Sequence, residues 1–245
     1  MAAADGWELF YWAQMKDDGK NHMIGRGEFV RLLFELAGVP YVDHGVMDGG
    51  AHKVFKFVRG GENVDFPVFA PPAIKRGSFV LSQTPAIMKF LGKEFGFYPT
   101  DVQGEAHADS LMAFVTDFVA EGRLVFHPKC FTMSYFQQME EAKPHILWFE
   151  TERLPAFLTY LESALAYNAK SHAGGFMVGA SLTYVDVAVF HTLTSANSQF
   201  FAAFKRQCAN IPRLLALRAH VASLPRVAAY LASARRGLFE GNSMM

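Results

Sequence analysis

Short apolar runs separated by turn residues fill the N-terminal part of the chain, a pattern typical of a small layer of strands and helices. The aromatic run from Trp7 to Trp12 predicts a buried first strand. After a polar loop at 13–25, apolar residues at helical spacing predict a helix from Glu28 to Ala37, which Gly38 ends. Val39 to Val42 then predicts a second strand.

A hairpin and a helix are predicted in the stretch from Ala70 to Gly92. The cluster Lys75-Arg76-Gly77-Ser78 has the character of a turn between two β-prone runs. Thr84 is predicted to cap the helix through its side chain, and Pro85 suits the first helical position because that position needs no N–H. Residues 43–65 are predicted to form a loop with one short helix. The resulting order of strands and helices fits a thioredoxin-like layer.

The second half of the chain has longer apolar-periodic segments after a linker at Asp101–Glu105. They predict helices at about 105–125, 144–168, 183–200 and 212–222, with a shorter one after Pro225. Thr183 and Asp186 have the spacing of a capping box at the start of one of these helices. We therefore predict two domains, a thioredoxin-like α/β domain over 1–99 and an all-α domain over 100–245.

Composition narrows the class of protein further. The chain has 245 residues, 51% of them hydrophobic, which is ample for a core. Its 23 basic and 23 acidic residues are well mixed, so neither nucleic acid nor a membrane is expected as a partner. Cys130 and Cys208 are too few for a disulfide framework, and MAAADGWE does not have the pattern of a secretion signal. A cytoplasmic protein is predicted.

Several common kinds of catalytic site are disfavoured by the sequence. His127 and Cys130 do not have two further ligands at a suitable spacing, so no metal is expected. The sequence has no Gly-x-Ser-x-Gly elbow, P-loop or Rossmann fingerprint. This leaves a site that binds its ligand through backbone amides and a few polar side chains.

The helix predicted after the hairpin offers such a site. Its first amides and the helix dipole favour an anion, and the Gln83 amide and Thr84 hydroxyl flank that position. The doublet Pro71-Pro72 before the hairpin suits a cis peptide that leaves the neighbouring backbone open to a ligand. A carboxylate would fit there, although a capped helix after a hairpin also occurs for purely structural reasons.

The segment PPAIKRGSFVLSQTPAIMKFLGKEFGFYP resembles the glutathione-binding segment of cytosolic glutathione transferases. The resemblance implies that Pro72 is the cis-proline and that Gln83 and Thr84 hold the γ-glutamyl end of glutathione. Pro71 departs from the family pattern. The residue at this position usually pairs its N–H and C=O with the cysteinyl backbone of glutathione, and proline has no N–H to give.

A tyrosine is the expected group for activating the glutathione thiol. Glutathione transferases support the thiolate with a protein hydroxyl or use a cysteine instead, and the chain has no serine, threonine or cysteine from Met1 to Gly77. Tyr11 and Tyr41 remain. Tyr11 with Trp12 resembles the Tyr-Trp start of mu-class enzymes, which favours Tyr11 and places Trp12 in the glutathione site. Tyr11 at a strand edge is also compatible with a structural role.

The run from Gly25 to Arg31 resembles the start of the first helix in pi-like enzymes. The resemblance implies that Arg26 approaches the glycyl carboxylate of glutathione, for which a planar guanidinium is well suited. Arg31 is expected to form a structural ion pair. Further residues of the glycyl site stay undecided among Lys53, Lys56 and Arg59.

The function implied by the resemblance is conjugation of glutathione to small hydrophobic electrophiles, a detoxification reaction, in a homodimer with no metal. Six aromatic residues either line the substrate pocket or belong to the core, and the sequence leaves both open: Phe114, Phe118, Phe126, Phe131, Tyr135 and Phe136. Two other functions stay open. One is a non-catalytic binding or structural protein with the same fold, and the other is a glutathione-dependent isomerase or peroxidase.

Overall fold

A computed structural model describes residues 6–12 and 24–239. Most of the loop predicted at 13–25 lies outside these residues. The chain divides into two compact units, one of which runs to Phe97 and also takes in Ser223–Phe239. The other unit contains Tyr98–Ala222. The segment Ser223–Phe239 thus groups with the first unit, whereas the predicted division places all of 100–245 in the second.

The first unit is built on a mixed sheet of four strands. They are β1 (Trp7–Phe10), β2 (Tyr41–Asp43), β3 (Ala73–Arg76) and β4 (Phe79–Ser82), in the spatial order β2-β1-β3-β4. β1 pairs parallel to β2, while β1–β3 and β3–β4 are antiparallel. The predicted hairpin is confirmed as β3 and β4, and its turn is shorter than expected because β3 continues through Arg76.

The described residues of this unit form four α-helices: α1 (Gly27–Ala37), α2 (Gly50–Arg59), α3 (Thr84–Glu94) and α10 (Pro225–Leu231). Gly38 ends α1 in the left-handed conformation at φ 69°, as its position in the sequence predicts. α2 fills much of the predicted loop 43–65 because Val54 and Phe57 give it a buried face on Phe10.

The cap of α3 differs from the prediction. Thr84 is the first helical residue, and Gln83 takes the cap position with no side-chain hydrogen bond to the helix. Gln83 adopts φ 74° and ψ 112°, so its backbone makes the turn from strand to helix. Thr84 is therefore not the capping residue, and Gln83 is the only non-glycine residue with positive φ among those described.

The second unit consists of helices in its described part. They are α4 (Val102–Leu124), α5 (Met139–Trp148), α6 (Leu154–Asn168), α7 (Tyr184–Gln199), α8 (Phe201–Gln207) and α9 (Pro212–Ser223). The capping box of α7 is present, with Asp186 Oδ2 accepting bonds from the Thr183 amide at 2.7 Å and hydroxyl at 2.8 Å. The helix predicted at 144–168 is instead interrupted.

The interruption is a wide π-helical turn at Phe149–Arg153, between α5 and α6. Pro155 follows as the second residue of α6. Since proline has no N–H, it cannot bond to the carbonyl four residues before it, and the preceding turn widens. No helix in the described ranges is both long and apolar enough to cross a bilayer.

Candidate active site

The register of the sheet places the predicted site residues at one edge. Phe10 lies opposite Ala73, and Ala73 lies opposite Ser82. Tyr11 follows Phe10, Pro72 precedes Ala73 and Gln83 follows Ser82. Strand pairing therefore brings Tyr11, Pro72 and Gln83 together at this edge, although 72 positions separate the first from the last.

Tyr11 is buried and fixed against the turn that begins α1. Its hydroxyl oxygen accepts a hydrogen bond of 2.8 Å from the backbone N–H of Arg26, the residue that caps the helix. Since a hydroxyl both accepts and donates hydrogen bonds, Tyr11 is chemically able to donate a hydrogen bond to an anion while accepting this one. The accepted bond polarises the O–H group, and the helix N-terminus adds positive potential.

Two glycines make this contact possible, and the sequence analysis did not assign them a role. A Cβ at Gly25 would overlap the Tyr11 hydroxyl, and a Cβ at Gly27 would overlap the Tyr11 ring. Gly25 also has φ 49°, in the left-handed region. The signal in the sequence is the Gly-x-Gly spacing of Gly25 and Gly27 on either side of Arg26.

Trp12 and Tyr41 have different surroundings from Tyr11. Trp12 is partly buried and packs on the cluster that contains Phe10. The Tyr41 ring stacks on Phe34, and its hydroxyl donates to Glu35 at 3.1 Å. Burial, followed by the nearby Glu35 carboxylate, raises the pKa of Tyr41, so this hydroxyl stays protonated in a structural contact.

The remaining predicted residues surround the start of α3. The Pro71-Pro72 bond is cis, as predicted; Pro72 is buried and Pro71 is half-buried. Gln83 is exposed, whereas Thr84 is only 7% exposed. The first turn of α3 has no acidic residue, so its free amides face no competing carboxylate from within that turn.

The two arginines of α1's first turns have different environments. Arg26 is half-buried and contributes its backbone to the Tyr11 contact. Arg31 is buried and forms the expected ion pair, with Nε 2.6 Å from Asp43 Oδ2, and its Nη1 donates to the Ile24 carbonyl at 3.1 Å. Burial acts to lower the pKa of Arg31, but the carboxylates of Asp43 and Glu28 outweigh it and raise the pKa overall.

A buried charged cluster around Glu28 was missed by the sequence analysis. Glu28 is fully buried, accepts a hydrogen bond of 2.9 Å from the Tyr230 hydroxyl, and lies 3.5 Å from Arg236 and 3.6 Å from Arg31. Tyr230 and Arg236 are about 200 positions later in the chain. Helical periodicity gives no signal for such a distant pairing.

The undecided basic residues and the aromatic region are also located. Lys56 pairs with Glu62 at 3.3 Å, and the Arg59 guanidinium lies over the ring of Phe69. The aromatic region divides between core and surface. Phe118 and Phe126 are buried, Phe114 and Tyr135 half-buried, and Phe131 and Phe136 exposed. Within the described ranges, no three His, Cys, Asp or Glu side chains are grouped closely enough to hold a metal ion.

Comparison with known proteins places these features in a family. A family model described as "Glutathione S-transferase, C-terminal domain" matches residues 125–234. The glutathione S-transferase of Plasmodium falciparum (isolate 3D7) is 26% identical over 218 residues, which are 88% of this chain and 94% of that protein.

Solved structures show the same fold. Prostaglandin synthase D of Nilaparvata lugens superposes with a TM-score of 0.68 at 16% identity, over 95% of this chain and 100% of its own. Na-GST-3 of Necator americanus, described as a monomeric glutathione S-transferase, gives a TM-score of 0.65 at 22% identity, over 92% and 96%.

The mixed sheet with its helices and the separate helical unit define the glutathione transferase fold, which confirms the predicted fold class. The fold and the matches together support a cytosolic glutathione transferase-like protein. The resemblance to glutathione transferases predicted from the sequence is thereby confirmed, and relatives named as glutathione S-transferases support the predicted enzyme class.

Proposed function

We propose that this protein conjugates the glutathione thiolate to small hydrophobic electrophiles, with the Tyr11 hydroxyl stabilising the thiolate. The observation that carries this proposal is the bond from the Arg26 N–H to the Tyr11 oxygen at the start of α1. It orients the hydroxyl and strengthens it as a donor. A thiolate held by this donor is a better nucleophile at neutral pH than the free thiol, because more of it is ionised.

The rest of glutathione is assigned to the same edge of the sheet. Gln83, Thr84 and the first amides of α3 would hold the γ-glutamyl carboxylate, because a helix N-terminus binds anions well. Arg26 would approach the glycyl carboxylate through its side chain. Pro72 would bring the backbone beside the cysteinyl residue, with Pro71 before it and Trp12 beside Tyr11 completing the site.

The proposal extends to the setting of the reaction. Domain 100–245 would supply the apolar side chains that hold the electrophile, and detoxification would be the biological use. We propose a cytoplasmic homodimer. Both cysteines, Cys130 and Cys208, are free thiols, which supports a reducing compartment. Exposed Val64, Phe66 and Phe69 support association between copies.

The direct test is titration of the thiol in the glutathione complex by ultraviolet absorbance, together with calorimetry of glutathione binding. We expect saturable binding and a bound thiol whose pKa lies below that of free glutathione. Binding without a lowered thiol pKa would contradict the tyrosine mechanism. Absence of binding would contradict the whole proposal.

A non-catalytic binding protein is the second candidate, and Pro71 favours it because this residue cannot donate a backbone hydrogen bond to the cysteinyl unit of glutathione. A glutathione-dependent isomerase or peroxidase is the third candidate. Assays with an aryl halide, an endoperoxide and a hydroperoxide distinguish the three, since the non-catalytic protein turns over none of them.

A further inference from the structure

We propose that Arg31 is a positioning residue for Tyr11, beyond its ion pair with Asp43. It holds the turn whose amide binds the Tyr11 hydroxyl, and it places a buried positive charge near the Tyr11 ring. The inference rests on the proposed role of Tyr11 in supporting the glutathione thiolate. Its central structural claim is nevertheless testable without glutathione.

Arg31 is connected directly to the turn that begins α1. Arg31 Nη1 donates to the Ile24 carbonyl at 3.1 Å. Gly25 and Arg26 follow Ile24 directly, and the Arg26 N–H is the donor to the Tyr11 oxygen. Only one residue, Gly25, separates the carbonyl that Arg31 fixes from the residue whose amide holds the hydroxyl. A shift of Ile24 would therefore move the amide away from Tyr11.

Arg31 is itself held in one position. Its side chain is 2% exposed, and its Nε is bound to Asp43 Oδ2 at 2.6 Å. Asp43 is in turn held, because its Oδ1 accepts a bond from the Gly45 amide at 3.1 Å. A planar guanidinium can bond to Asp43 and to Ile24 at the same time in one fixed geometry, whereas an ammonium group makes a less directional contact.

Arg31 also acts on Tyr11 through its charge. The central carbon of the Arg31 guanidinium lies 5.8 Å from the centre of the Tyr11 ring, within the range of a cation–π contact. Arg31 Nη2 is buried and has no hydrogen-bond partner among the described residues. A positive charge close to the ring favours negative charge on the phenolic oxygen, and so strengthens the hydroxyl as a donor to a thiolate.

Other charged and titratable groups surround the Arg31 guanidinium and interact with it electrostatically. Those in the described ranges are Glu28, Asp43, Tyr41, Tyr230 and Arg236. The carboxylates keep Arg31 charged, so its contribution does not switch off near neutral pH. A change in the bound thiol's pKa on substituting Arg31 then reports on Tyr11.

The test compares Arg31→Lys with a matched control, Arg235→Met. Arg235 also pairs with a carboxylate of α1, Glu35, but at the far end of the helix from Ile24. Each substitution alters one ion pair made by a residue of α1, either Arg31 with Asp43 or Glu35 with Arg235. Only Arg31→Lys releases the turn at Ile24. Thermal unfolding of each variant measures the stability lost, so that the two are compared at temperatures where both are folded.

The decisive measurement is the amide resonance of Arg26 in the glutathione-free protein by nuclear magnetic resonance. Tyr11→Phe identifies the shift that follows from losing the hydroxyl acceptor. We expect Arg31→Lys to move the resonance in the same direction and Arg235→Met to leave it in place. An unchanged Arg26 resonance in folded Arg31→Lys would overturn the inference, because the ion pair would then serve stability alone.

The functional measurement follows in the glutathione complex. We expect Arg31→Lys to keep glutathione affinity close to that of the parent, and to lower kcat with an aryl halide by roughly tenfold to a hundredfold through misplacement of the hydroxyl. The pH profile of the rate should move to higher pH, because the pKa of the bound thiol rises. A parent protein without a lowered thiol pKa refutes the proposed function, while the Arg26 resonance still decides the inference. If the parent protein lowers the pKa of the bound thiol, an unchanged pH profile in Arg31→Lys would overturn the inference.

A second variant covers the case in which Arg31→Lys does not fold. Asp43→Asn leaves Arg31 in place and charged but weakens the contact that fixes its Nε. We expect a smaller displacement of the Arg26 resonance in the same direction. No displacement in this variant would likewise overturn the inference.

Discussion

Tyr11 and Tyr41 are both tyrosines of the first unit, and their hydrogen bonds separate them. The Tyr11 oxygen accepts a bond from the Arg26 N–H, whereas the Tyr41 hydroxyl donates to the Glu35 carboxylate. A hydroxyl that already donates to a carboxylate is poorly suited to support a thiolate. The sequence alone could not separate them in this way, because Arg26 is 15 positions from Tyr11.

Replacing Tyr11 by phenylalanine should raise the pKa of bound glutathione with little change in its affinity, because the ring packing survives. One lost hydrogen bond to an anion costs about 1.5–3 kcal/mol. This corresponds to about one to two pKa units and a conjugation rate lower by roughly ten- to a hundredfold at neutral pH. Absorbance titration of the thiolate and aryl halide kinetics measure both effects. Tyr41→Phe is the control and should leave the thiol pKa unchanged.

The sequence predicted the contacts of some residues of α1 but not of others. The ion pair of Arg31 was predicted and is confirmed at 2.6 Å to Asp43. The role of Gly25 and Gly27 was not predicted, since it depends on the Tyr11 ring lying against them. Glu28 resembles any exposed residue at a helix start, and only the approach of Tyr230 shows that it is buried.

The start of α3 combines backbone strain with the predicted carboxylate site. Gln83 has φ 74°, a conformation that costs a non-glycine residue about 1–3 kcal/mol. Strain of this kind persists when the surrounding structure enforces it, and it often occurs at binding sites. Here it turns the chain directly from β4 into α3.

Gln83→Gly should therefore stabilise the free protein by about 1 kcal/mol, because glycine adopts positive φ at less cost. It should also weaken glutathione binding, because the side-chain amide is lost. Gln83→Ala is the matched control, since it removes the amide and retains the strain. Denaturant unfolding and calorimetry give the two quantities. Equal stability of the Gly and Ala variants would show that the strain is absent.

The cap of α7 has a predictable pH dependence. Burial, opposed by hydrogen bonds from Met177 and Thr183, raises the pKa of Asp186 from 3.8 to about 6. The folded state then binds this proton more tightly than the unfolded state, so the contribution of Asp186 protonation to stability should be fully present below about pH 4 and be lost as the pH rises from about 4 to 6. A shift of this size corresponds to about 3 kcal/mol.

Asp186→Asn provides the comparison for this pH dependence, because it cannot ionise. It should be less stable than the parent at every pH, since the side-chain NH2 opposes the Thr183 donors. The difference in unfolding free energy between parent and variant should shrink from pH 4 to pH 6. A difference independent of pH would contradict the raised pKa of Asp186.

Local signals predicted most elements, and long-range packing produced the exceptions. The hairpin, the Gly38 stop of α1 and the capping box of α7 all follow from short sequence patterns. α2 was underestimated because its buried face depends on Phe10. The π-helical turn was missed, although Pro155 was visible, because the pattern of apolar residues continues through it.

An exposed apolar patch on the first unit bears on the oligomeric state. Exposed apolar residues of the first unit are concentrated between α2 and β3, where Val64, Phe66 and Phe69 are 87%, 60% and 79% exposed. Burying such residues against a second copy would be favourable by about 25 cal/mol for each Å² of apolar surface.

Light scattering at micromolar concentration should accordingly give a mass of about twice 27.3 kDa for the parent. The double change Phe66→Ser, Phe69→Ser should shift the mass toward that of a monomer, with little loss of stability per chain because both side chains are already exposed. A monomer mass for the parent would refute the homodimer. An unchanged dimer mass in the variant would refute this patch as the interface.

The membership of Ser223–Phe239 in the first unit has a consequence for synthesis on the ribosome. The described part of the helical unit, Tyr98–Ala222, is translated before this segment exists, so the first unit cannot complete its core while it is the only part outside the exit tunnel. Until Tyr230 and Arg236 arrive, Glu28 lacks two of its partners. The nascent first unit should therefore complete its fold only after this last segment has left the exit tunnel.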